Sequence, residues 1–256
     1  MEREFSVESL IEHGQVISSN KNEGIESILR KAFKKAGDTG IIATMPYLVA
    51  GISINDNSNS VLEQPNLVSY SEENIIIDRE KTLTDSGRAI LLCIHGGGLL
   101  TLDRISKLNK ADLTHNDSVK YSEEESVEIL KGKLPHGDRI KLYPVDDVLN
   151  EKISNPFGRY GVWMEFKEAR QWGSGFYTEN DFMNNSIVHA RVGSLEYLEN
   201  YFKKISYSQF SNRVACSHYF RNIDPRQSQG NFLEISNYGI SNCFRNINFP
   251  KFVVVK

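Results

Sequence analysis

The residues best equipped for chemistry in this chain stand at two openings where a hydrophobic or aromatic run meets glycines. One is Trp172-Gly173-Ser174-Gly175-Phe176-Tyr177-Thr178-Glu179-Asn180-Asp181, a double-glycine turn that feeds two aromatics and a threonine. Glycine lets a ligand approach the backbone closely, and an aromatic face matches a flat ring. The other is Ile94-His95-Gly96-Gly97-Gly98, where a strand end opens into glycines with a histidine placed to reach a bound group. Two such openings point to one ligand cleft.

Taken together, these segments resemble the His-Gly and Gly-Phe-Tyr-Ser/Thr motifs of the ADP-ribosyltransferases of the diphtheria-toxin and poly-ADP-ribose polymerase type. The resemblance covers about 30 of the 256 residues. It implies that His95 holds the adenosine ribose of NAD, that the Gly96 backbone meets the carboxamide, and that Tyr177 stacks on nicotinamide beside Phe176 and Thr178. It further implies a glutamate that stabilises oxocarbenium charge on the ribose. Glu196 matches the diphtheria-type local sequence but stands only 19 residues past Tyr177, too few for the helix and two strands that normally intervene. Glu234 stands 57 residues past Tyr177 and is preferred. The arginine-dependent branch of the superfamily would use Arg88 on the first strand instead of His95. The expected fold is α+β, a split β-sandwich with an N-terminal helical extension. The expected function is NAD-dependent mono-ADP-ribosyl transfer by a bacterial toxin or effector to a host protein acceptor, with NAD as co-substrate. The acceptor type stays open between arginine, threonine, glutamate, cysteine and nucleotide.

Departures from the pattern are plain. The second tyrosine expected 11 residues after Tyr177 falls at Val188, and His95 precedes Tyr177 by 82 residues, which implies an insertion. A non-catalytic α+β interaction protein is the main alternative. His95-Gly96-Gly97-Gly98 also resembles the oxyanion-hole motif of lipase-like hydrolases, yet no Gly-x-Ser-x-Gly elbow follows. A cysteine protease or deamidase would use Cys93 or Cys216 with His189 or His218. The six histidines form no HxH or HExxH and the three cysteines no CxxC, so no metal site is expected.

These residues need elements to hold them. Ser6 to Lys35 carries apolar residues at helical spacing and reads as two short helices, stopped by Gly37 and Gly40. Met45–Ile54 reads as a strand entered at Pro46, and the polar loop Asn55–Ser60 divides an N-terminal extension, 1–60, from a catalytic domain, 61–256. Asn74–Asp78 and Arg88–Ile94 read as strands, the second buried on both faces. Leu100–Leu108 reads as helix, and so does Tyr121–Leu130, with a cap at Ser122. Arg139–Tyr143, Tyr160–Phe166 and Ser186–Val192 read as strands, Ser194–Phe202 as a capped helix, and Asn231–Ser236 and Lys251–Val255 as strands.

Composition sets the remaining bounds. A hydrophobic share of 39% and a charged share of 25% are ordinary for a globular protein, and a net charge of -3 gives no basic surplus for nucleic acid. Three cysteines without paired spacing fit a reducing compartment. No run approaches the roughly 18 apolar residues of a membrane span. Met1-Glu2-Arg3-Glu4-Phe5 is unlike a secretory leader. A soluble protein is expected, and delivery by a dedicated secretion apparatus is compatible with that.

Overall fold

The computed structural model describes residues 5–18, 23, 25–55, 62, 67–98, 102, 119–120, 122–169, 175–176, 179–207, 216–217, 229–236, 239–241 and 251–256. Its first third runs α1 (Val7–His13), β1 (Gln15–Ser18), α2 (Ile25–Ala36), β2 (Ile41–Ile42), α3 (Met45–Ile54), β3 (Leu67–Ile77) and β4 (Ala89–His95). The middle runs β5 (Val119–Lys120), α4 (Glu123–Leu130), β6 (Lys141–Pro144), α5 (Val145–Leu149), β7 (Tyr160–Glu165) and α6 (Phe166–Ala169). Then come β8 (Gly175–Phe176), α7 (Glu179–Met183), α8 (Ser186–Val192), α9 (Leu198–Tyr207), β9 (Cys216–Ser217), β10 (Gln229–Ser236), β11 (Gly239–Ser241) and β12 (Lys251–Val255).

The sheet runs β6-β7-β4-β3-β10-β11-β9-β8, and β12 joins it through β3 while pairing antiparallel with β1 and β2. The first strand of the chain therefore hydrogen-bonds the last, and residues on both sides of the polar loop after Asn55 share one sheet. β3 is the hub: Ser71–Ile77 pairs antiparallel with β4, and the opposite edge pairs with β10.

Both faces of β4 are covered, as its apolar run requires. Leu91 and Cys93 pack with Tyr160, Val162, Ile187 and Ala190, whereas Ile90, Leu92 and Ile94 pack with Ile129, Leu130 and Ile140. β12 alternates in the same way. Phe252 and Val254 meet Ile28, Leu29 and Ala32 of α2, while Val253 and Val255 meet Leu10, Tyr47 and Leu48.

Helix α4 forms as its sequence predicts. Ser122 Oγ accepts from the Glu125 amide at 3.1 Å and the Glu125 carboxylate returns to the Ser122 amide at 2.9 Å, a reciprocal capping box. Two expected strands are helices instead. Met45–Ile54 is α3, a helix buried almost all round, so its apolar residues carry no period to read; Pro46 sits in the first turn, where its missing N–H costs nothing. Ser186–Val192 is α8. Its Asn185 side chain accepts from the amides of Ile187 and Val188, and Gly193 closes it at φ +62°. The predicted helix over 100–108 lies almost wholly outside the described residues.

Asp78 fixes the β3–β4 connection. Its carboxylate accepts from the amides of Thr82, Leu83 and Thr84 at 2.7–2.8 Å and from Thr84 Oγ1 at 3.1 Å. Burial raises its pKa, but these hydrogen bonds together outweigh burial and hold it below the usual carboxylate value. Asp78→Ala is expected to cost about 1 to 3 kcal/mol of stability at neutral pH, since it orphans several amides. Thermal denaturation checks this, and an unchanged midpoint would contradict it.

Candidate functional site

The sheet register brings a set of polar side chains into the core. Ser71 lies opposite His95, and His95 opposite Tyr160, in a row across β3, β4 and β7. Two residues along, Glu73 lies opposite Cys93 on the same face, beneath α8.

Hydrogen bonding sets the direction of each donor in the first row. The Met45 amide donates to Ser71 Oγ at 2.9 Å, Ser71 Oγ lies 2.9 Å from His95 Nδ1, and His95 Nε2 lies 3.0 Å from the Ala190 carbonyl. A carbonyl only accepts, so Nε2 carries the proton and Nδ1 accepts from the serine hydroxyl. His95 is fully buried with both nitrogens engaged, and its ring packs 4.9 Å from that of Tyr160. Burial lowers its pKa to about 4, against a smaller opposing effect of the bond to Ala190.

In the second row, Arg191 grips Glu73 with two bonds, Nε to Oε1 at 2.5 Å and Nη2 to Oε2 at 3.2 Å. Both side chains are buried, at 0% and 3% exposure. The Cys93 thiol donates to Glu73 Oε1 at 3.9 Å, and burial followed by the Glu73 charge pushes its pKa well up. Cys93, named in the cysteine-enzyme alternative, is thus a buried thiol whose protonated form is favoured. His189, its proposed base, is 3% exposed and bonds the Met183 carbonyl through Nε2 at 2.6 Å.

Outside this core a cleft of about 740 Å³ opens between the loop after α2, the end of β4 and the segment leading into β7. Its aromatic walls include Phe33, Tyr70, Tyr143, Phe157 and Tyr160, and its charges are Asp38, Asp138, Arg139, Lys141 and Arg159. Arg159 donates from Nε to the Gly96 carbonyl at 3.2 Å and from Nη1 to Asp138 at 2.6 Å. Asp138 also faces His136 at 3.2 Å. Lys141 Nζ sits 4.5 Å from the centre of the Tyr143 ring. Burial, then the neighbouring Glu72 charge, pushes the Tyr70 phenol up, so it stays protonated. Gly96, at φ +84°, turns the chain at the cleft rim, and a Cβ there would stand 3.2 Å from Arg159 Cβ.

Of the residues singled out in the sequence, Gly96 alone is placed in this cleft. His95 lies behind it, sealed in the core. Phe176 is described through its backbone, which pairs with Cys216, and Tyr177 and Thr178 lie outside the described residues. Glu234 pairs through its backbone with Val68 and Ser241 in β10. Glu196 is exposed in the turn before α9, and Arg88 is exposed ahead of β4. Thr44, Tyr70, Lys141 and Arg159 carried no local motif. Among the described residues, no group of three His, Cys, Asp or Glu is placed to hold a metal ion, and no helix is long and apolar enough to cross a membrane.

No family model matches the chain, and no curated protein matches it. Among solved structures, it is similar to the one reported as "Accommodation of massive sequence variation in Nanoarchaeota by the C-type lectin fold". The match has a TM-score of 0.65 at 14% identity and covers 95% of this chain and 97% of that one. This overturns the resemblance to ADP-ribosyltransferases and the split β-sandwich expected from it. The motifs behind that resemblance spanned about 30 residues, whereas the fold likeness spans nearly the whole chain. The roles that the resemblance lent to His95, Gly96, Phe176, Tyr177, Thr178 and Glu234, with NAD as co-substrate, lose their basis with it. What stands is an α+β protein with a fold similar to the C-type lectin fold.

Proposed function

We propose that the chain is a non-catalytic recognition protein built on a C-type lectin-like frame. The observation that carries this reading is that the frame's proton-transfer groups hold the frame itself. His95 has both ring nitrogens bonded in the core, and the Glu73 carboxylate is gripped by Arg191. Groups held in this way specify a scaffold; they do not meet a substrate.

The nanoarchaeal structure supports the reading from another side, because it is reported as an accommodation of massive sequence variation by this fold. In the present chain we assign the variable, recognising role to the segments of 208–250, between α9 and β12, that lie outside the sheet strands β9, β10 and β11. Residues 208–250 include seven aromatics, seven asparagines and four arginines, and no lysine. Aromatic residues, arginine and asparagine are enriched at recognition surfaces, and lysine is depleted there.

A displayed library that randomises Asn212, Tyr219, Asn222, Tyr238 and Asn242 tests the assignment. Selection against unrelated folded proteins is expected to return binders of sub-micromolar affinity that melt within a few degrees of the parent. A library that yields only unfolded or non-binding variants would count against it.

A further inference from the structure

We propose that the cleft beside the N-terminus of α3 is a second, constant binding site, and that it takes a small organic anion bearing a planar ring. Three independent observations meet there. Thr44, the N-cap of the ten-residue α3, lines the cleft, yet its side chain makes no capping bond. It is 2% exposed, and its Oγ1 has no hydrogen-bond partner among the described residues. Buried hydroxyls are almost always bonded, so an unpartnered one in a cleft wall marks a place where a ligand atom completes the set.

Charge supplies the second observation. Arg139, Lys141 and Arg159 all line the cleft, against Asp38 and Asp138. Asp138 and Arg159 bind one another, with His136 also facing the carboxylate, which leaves Arg139 and Lys141 against Asp38. The positive end of the α3 dipole adds to the cationic side, because its N-cap forms part of the wall. An anion is favoured over a cation in such a field.

The third observation is shape. Phe33 and Tyr70 meet edge to face at 5.3 Å, and Tyr143 and Tyr160 do so at 6.0 Å, so two aromatic pairs border the space. Flat faces of this kind take a ring by stacking or edge contact. A volume of about 740 Å³ suits a small molecule and is too little for a folded partner. The site is separate from the recognition role assigned within 208–250, so either assignment can fail without the other.

The test uses the intact chain and three isosteric probes: benzoate, benzamidine and benzamide. Binding is followed by amide chemical-shift changes at Gly96, Lys141 and Arg159. Benzoate is expected to bind at least tenfold more tightly than either of the other two. Arg139→Met and Lys141→Met should each weaken benzoate by about fivefold or more without moving the melting temperature. Thr44→Val should weaken it several-fold and Thr44→Ser should restore it; if Thr44→Val fails to fold, the two cation variants decide. Benzamidine binding as tightly as benzoate would overturn the proposal. So would the absence of benzoate shifts at about 20 mM, or benzoate binding indifferent to both cation variants.

Discussion

Glu73→Gln should lower the melting temperature by roughly 6 to 20 °C. The change removes the charge that the Arg191 guanidinium grips with two bonds in the core, and breaking a buried pair on one side costs about 3 to 5 kcal/mol. At about 2 to 4 °C per kcal/mol for a domain of this size, the shift is large. Arg191 joins α8 to the central strand β3 with an exposure of 0%, so water cannot replace the lost partner. Removing both charges should be far milder. Glu73→Leu with Arg191→Met is expected to recover most of the loss, because two apolar groups of similar volume carry no desolvation penalty. Thermal denaturation of the two single variants and the double variant measures this. A double variant no better than the worse single one would show that the pair is not what couples the helix to the sheet.

The pH dependence of stability should carry the signature of His95. Its folded pKa, about 4, lies below the ordinary histidine value because burial disfavours the charged ring. The unfolded chain therefore binds the proton more readily, and stability present above about pH 6.5 is lost as pH falls towards 4. Protonating Nδ1 would also set a proton against the Ser71 hydroxyl that donates to it. The lost stability amounts to about 3 kcal/mol. His189 is shifted the same way by burial, and Asp78 loses its stabilising charge in acid, so wild type alone would show a composite slope. The informative quantity is the gap between wild type and His95→Gln, in which those groups cancel. It should be widest near neutral pH and narrow steadily between pH 6.5 and 4. A gap independent of pH would mean that the ring is not held neutral.

Parts of this frame were legible before folding, for identifiable reasons. β4, β7, β12 and the capping box of α4 follow from runs and spacings that few alternatives satisfy. β3 was half legible: the apolar Ile75-Ile76-Ile77 marks its end, but the strand begins at Leu67. Its missing half contains Ser71, Glu72 and Glu73, all buried against the ordinary preference of polar residues for water. Only the partners across the sheet and on α8 make that burial tolerable, and partners distant in sequence leave no local mark. α3 misled because a helix buried on every side has no amphipathic period. α8 misled differently. Alternation over seven residues fits a strand, yet Asn185 and Gly193 flank it as helix start and stop signals, and weighing them would have corrected the reading.

The cleft shows the same limit. His95-Gly96-Gly97-Gly98 marked the right neighbourhood, since Gly96 takes positive φ at its rim. It did not mark the side chains. Thr44, Tyr70, Lys141 and Arg159 come from four separate segments, and the histidine that drew notice faces the other way, into the core.

The proposed function divides the chain between a frame intolerant of change and the segments of 208–250 outside β9, β10 and β11, which absorb it. The most direct test compares melting temperatures of two variants. One replaces Asn212, Asn222, Arg226 and Asn242 together by serine, and the other is the single Glu73→Gln. The fourfold variant is expected to melt within about 3 °C of the parent, as a stretch that tolerates variation should, while the single variant falls by about 6 °C or more. A fourfold variant that falls as far as Glu73→Gln would contradict the division.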